Sequence, residues 1–67
     1  MISMDKMMYK IEQDLDQLRS QLGEKPMFAE EIVETTNWSE EKTRIYLYRL
    51  TEVKEIARDN DGKYYIS

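Results

Sequence analysis

The chain has 67 residues, a net charge of −4 and neither cysteine nor histidine, which excludes a disulfide framework and removes the usual thiolate and imidazole ligands of zinc. A domain of this size buries only about 60% of the surface its unfolded chain exposes, so its core depends on tight helix packing or on a second copy. No run of about 20 apolar residues is present to span a bilayer, and Met1-Ile2-Ser3-Met4-Asp5-Lys6 lacks the basic-then-apolar pattern of a secretion signal; residues 1–67 are read as one cytoplasmic domain.

The first element predicted is a long helix. Met4, Met8, Ile11, Leu15, Leu18 and Leu22 alternate steps of four and three, a narrow apolar stripe at helical period. Met7 widens the stripe, while Tyr9, Glu12, Asp16 and Arg19 lie away from it. Gly23 is expected to stop the helix, and Pro26 forbids its continuation. Lys25-Pro26-Met27-Phe28 is long enough only for a turn and a strand fragment.

A short helix follows over Ala29–Thr36, with Ile32 and Val33 inward and Glu30 and Glu31 at the positive end of the helix dipole. Asn37-Trp38 breaks it. Ser39 is an N-cap for a third helix reaching about Val53, again with acidic first-turn residues, Glu40 and Glu41. Within it Thr43, Tyr46, Leu47 and Leu50 stand at i, i+3, i+4 and i+7, one buried face. Ile56-Ala57-Arg58 and Lys63-Tyr64-Tyr65-Ile66 read as two strands, and Asp59-Asn60-Asp61-Gly62 supplies the turn between them. Of Tyr64 and Tyr65, one faces the core and the other solvent. Trp38 reads as a core plug.

This order, helix, strand fragment, helix, helix, hairpin, resembles the winged helix-turn-helix family. Ala29-Glu30-Glu31-Ile32 is similar to the start of the family's second helix, and Asn37-Trp38-Ser39 to its turn. Arg44-Ile45-Tyr46-Leu47-Tyr48-Arg49-Leu50 is similar to the end of the recognition helix. The spacing from Leu50 to Ile56 resembles the lead into the wing, and Gly62-Lys63-Tyr64-Tyr65-Ile66 its return strand. The resemblance covers roughly residues 11–67 and implies an α+β fold of three helices and a C-terminal two-stranded wing. Two positions depart from the family. Lys54 stands where glycine is usual, and a left-handed backbone there costs on the order of 1 kcal/mol. Asn37 replaces the other usual glycine but tolerates positive φ comparatively well.

Catalysis finds little support. No histidine or cysteine is present as base or nucleophile, and abundant carboxylates read as a solvated face. Asp59, Asp61 and Gly62 fit positions 3, 5 and 6 of a calcium-binding loop, but position 1 would be Ala57, which offers no carboxylate. No metal, cofactor or small-molecule substrate is expected.

Charge is unevenly spread: residues 1–37 hold four basic and eight acidic side chains, residues 38–67 six of each. The second half is therefore not barred from nucleic acid. With its apolar face inward, the third helix presents Glu41, Ile45, Tyr48 and Glu52 outward, with Arg44 flanking on one side and Lys42 and Arg49 on the other. The family resemblance implies that this surface, from Ser39 onward, enters the DNA major groove, cations on phosphates and the centre near base edges. Ile45 then suits a thymine methyl and Tyr48 a phosphate; Arg58, Asn60 and Lys63 of the wing (56–66) suit the backbone. The expected function is a sequence-specific transcriptional regulator of double-stranded DNA. Glu41 and Glu52 weigh against it, because they repel phosphates unless they accept from cytosine amino groups. The alternative is a winged-helix protein-interaction module using Ile45, Tyr48 and the acidic surface. Arg44 has Glu40 and Glu41 as rival partners within the helix. Residues 1–10 extend the first helix past what a small core requires, and Met4, Met7, Met8 and Ile11 are the residues expected to pair two copies into a homodimer.

Overall fold

The computed structural model describes the backbone of residues 2–67 and the side chains of residues 9–67. Helix α1 (Ile2–Glu24) buries Leu15, Leu18 and Leu22 in the core. Gly23 does not end it. The residue stays helical, and α1 runs on to Glu24. Pro26 is the actual stop, since its ring disfavours helical backbone at the residue before it, Lys25. Ile11 packs half-buried against the core of its own chain. The proposed pairing residues Met4, Met7 and Met8 lie outside the described side chains.

Met27 is buried and forms a one-residue bridge to Tyr64, with its N–H donating to the Tyr64 carbonyl at 3.0 Å and the Tyr64 N–H returning a bond of 2.7 Å. Helix α2 (Ala29–Thr36) starts beside it, where the Glu31 carboxylate accepts from the Phe28 N–H at 2.9 Å. This bond satisfies an otherwise orphaned donor at the helix entrance, while the Phe28 ring offers no acceptor in return. The helix closes on Asn37, whose φ of 62° is left-handed and whose N–H donates to the Val33 carbonyl at 2.9 Å.

Helix α3 (Glu40–Glu52) is capped by Ser39, whose hydroxyl accepts from the Lys42 N–H at 3.0 Å. Thr43, Tyr46, Leu47 and Leu50 are all buried, as their spacing predicts. The helix ends in a Schellman motif. The Glu55 N–H reaches the Leu50 carbonyl at 3.0 Å and the Lys54 N–H reaches the Thr51 carbonyl at 3.0 Å. Lys54 occupies the left-handed position of that motif, with φ 65°.

Strands β1 (Ile56–Arg58) and β2 (Tyr64–Ile66) pair antiparallel, Ile56 opposite Ile66 and Arg58 opposite Tyr64. Lys63, expected in the return strand, lies in the turn instead. The Asp59 carboxylate explains this by accepting from the N–H groups of Asp61 and Lys63, both at 2.9 Å. Gly62 supplies the positive φ of 94° that the turn requires. Ile56 enters the core and Tyr64 packs against it, while Tyr65 points to the opposite, solvated face. Three helices followed by an antiparallel hairpin give the α+β layout of a winged helix-turn-helix.

Two polar clamps fix α1 on this frame. Arg19 donates to Asp16 and to Glu55, each at 2.7 Å, tying the helix to the turn before β1. The Asp14 carboxylate accepts from the Tyr46 hydroxyl at 2.8 Å and lies 3.1 Å from the Lys42 ammonium.

Candidate nucleic-acid interface

The outward stripe of α3 follows from its inward one. Once Thr43, Tyr46, Leu47 and Leu50 are buried, helical geometry turns Glu41, Ile45, Tyr48 and Glu52 to solvent. Ile45 is 55% exposed and Tyr48 66% exposed, so two large apolar side chains stand one turn apart on a surface helix without covering. Arg44 and Arg49 are exposed on the two flanks. Among the described residues neither makes an ion pair; Arg44 does not take up Glu40 or Glu41. Both charges are therefore available to an external anion.

Lys42 is placed differently. Its ammonium sits beside Asp14 and over the rings of Trp38, at 5.5 Å, and Tyr46, at 5.7 Å. Trp38 meets Tyr46 edge-on with centroids 5.1 Å apart. Lys42 thus belongs to a half-buried cluster that joins α1 to α3, on the side of the helix away from Arg44. Electrostatics follow the geometry. Burial pushes the Asp14 carboxyl up, but the Tyr46 hydroxyl, the Lys42 ammonium and the charge of Lys10 outweigh it and hold it below its ordinary value. Burial, with the Asp14 bond and charge behind it, pushes the Tyr46 hydroxyl up to about 12. Ser39 is engaged as the cap of α3, with its hydroxyl turned to the helix N–H groups.

In the wing, Arg58 and Lys63 lie over aromatic rings. Arg58 is 5.6 Å from the Tyr64 centroid and Lys63 5.4 Å from that of Phe28. Rings orient these cations without neutralising them. Arg58 also donates to the Gly62 carbonyl at 3.4 Å, across the turn that carries the exposed Asn60. Arg44, Ile45, Tyr48 and Arg49 share one helix surface, while Arg58, Asn60 and Lys63 share the wing tip; Lys42 borders a shallow concavity with Glu41 and Ile45 but is ion-paired to Asp14.

A groove went unforeseen. It lies between α2, the first half of α3 and β2, with Val33, Leu47 and Tyr64 at its base and a volume of about 470 Å³. Val33, predicted inward, is half-buried and lines it. The available sequence signal was Glu30 and Glu34, one turn apart on one face of α2. The partnership of Tyr64 with that face is long-range and leaves no local mark.

Among the described residues no helix is long and apolar enough to cross a membrane, and no group of three or more acidic side chains is placed to hold a metal ion. No family model, curated protein or solved structure matches the chain.

Proposed function

We propose that the protein is a sequence-specific double-stranded DNA-binding regulator that inserts α3 into the major groove and sets the wing tip against the backbone. The observation that carries this reading is the pair of guanidinium groups, Arg44 and Arg49, that make no ion pair among the described residues and stand on either side of exposed Ile45 and Tyr48. Cations that flank a helix suit phosphates on the two walls of a groove, and the surface between them meets base edges. Arg58 and Lys63 add two further cations at the wing. Lys42 is assigned a structural part, holding Asp14.

Glu41 and Glu52 restrict the reading. They make nonspecific binding weak and leave affinity dependent on sites whose bases offer amino donors. The test is titration of a selected duplex by fluorescence anisotropy. Arg44→Ala and Arg49→Ala should each weaken binding and lower the slope of log affinity against log salt by about 1, with the helical circular dichroism unchanged. Unaltered affinity in both variants refutes the assignment of this face.

The helical backbone from Ile2 favours a dimeric form of the regulator. About two and a half turns precede Ile11, the first described residue packed on the core. The Met4, Met7 and Met8 stripe on those turns is proposed to pair with a second copy, giving two reading heads.

A further inference from the structure

The groove between α2, α3 and β2 shares only Arg44, at its α3 edge, with the proposed DNA contact. Its base is apolar, formed by Val33, Leu47 and Tyr64, and the rest of its charged rim is Glu30, Glu34 and Glu40. All three glutamates are exposed, and among the described residues none makes an ion pair. Glu30 and Glu34 are like charges one turn apart, an arrangement that weakens a helix by a few tenths of a kcal/mol. An external cation between them reverses that term. Over the whole helix-turn-helix stretch 30–41 there are five acidic residues and no basic one.

We propose that this groove docks a short segment of a partner protein in which lysine or arginine alternates with aliphatic residues. Charge complementarity selects the occupant. A long basic side chain lays its methylene stem on an apolar floor while its head reaches the carboxylates around it, which is the distribution of Val33, Leu47 and Tyr64 beneath three glutamates. The volume of about 470 Å³ accepts more than one side chain, so a peptide stretch fits better than a lone ion. Phosphates are repelled by the three carboxylates of the rim. Arg44 borders the groove on α3, so a docked segment lies next to the proposed DNA surface without covering Ile45 or Tyr48.

The experiment selects a displayed library of random short peptides against the full chain and measures the recovered peptides against variants. The expected result is enrichment of peptides combining Lys or Arg with Leu, Ile or Val, whose binding shifts the Val33 and Leu47 methyl resonances. Glu30→Gln/Glu34→Gln, at exposed sites away from the core, should weaken them about tenfold, and Arg49→Ala should leave them unchanged. No enrichment, enrichment of neutral or acidic peptides, or affinity indifferent to the double substitution overturns the proposal. So does a shift of the two methyl resonances by duplex DNA that persists in Arg44→Ala, which would assign the groove itself to nucleic acid. Failure of DNA binding leaves the peptide result intact, so the two readings fall separately.

Discussion

Replacing Lys54 with glycine should make the protein more stable. Lys54 sits at the left-handed position of the Schellman motif ending α3, with φ 65°. A residue with a Cβ carries a penalty of about 1–2 kcal/mol in that region. Glycine lacks the penalty but loses more backbone freedom on folding, about 0.5–1 kcal/mol. The midpoints of the two ranges leave a gain of about 0.75 kcal/mol. For a domain of this size each kcal/mol moves the melting temperature by roughly 4–8 °C, so a rise of roughly 3–6 °C is expected. The Lys54 side chain is exposed, and both hydrogen bonds made by its backbone, from its N–H to the Thr51 carbonyl and from the Ser67 hydroxyl to its own carbonyl, survive the change. Thermal unfolding followed by circular dichroism makes the measurement, with Lys54→Ala as control. Alanine keeps the Cβ and should melt with the wild type. A glycine variant that melts at or below the alanine variant refutes the strain argument.

The Asp14 carboxyl is held below its ordinary value by Tyr46, Lys42 and Lys10 against the opposing effect of burial. Its stabilising contribution is therefore complete above the unfolded-state carboxylate value and is lost as pH falls through the lower folded-state value; Asp14→Asn should flatten this acid limb of a denaturant-stability profile. The Tyr46 hydroxyl, pushed up to about 12 from 10.0, works at the other end. Its contribution is present below pH 10 and declines toward pH 12, and the tyrosinate absorbance lost in Tyr46→Phe should be the fraction that appears near 12. Sedimentation at tens of micromolar should show a dimer that Met4→Glu/Met8→Glu converts to monomer; a monomeric wild type contradicts the pairing role of the first turns.

The fold was legible wherever a residue's partners are set by period or by local hydrogen bonding. Leu15, Leu18 and Leu22, the Thr43–Leu50 face, the Ser39 cap and the Asp59–Gly62 turn are all of this kind. Asn37 and Lys54, read as left-handed from the glycine positions they replace, both have positive φ. Gly23 misled because a glycine near a helix end signals a stop only when its backbone turns left-handed, and proline three residues on imposed the boundary instead. The candidate surface was harder to read. Helix geometry exposes Ile45 and Tyr48 and leaves Arg44 and Arg49 on the flanks, as their spacing predicts. The Lys42 charge is engaged by Asp14, 28 positions away in the chain, and no local pattern encodes such a pair. The groove depends in the same way on Tyr64 meeting α2 across the Met27 bridge.

Selection from a random duplex library by the full chain, at moderate salt, addresses the central claim most directly. The account predicts enrichment of a defined sequence whose binding falls with Arg44→Ala and with Arg49→Ala while both variants stay folded. A library that yields no motif, or a motif bound equally by both variants, contradicts it.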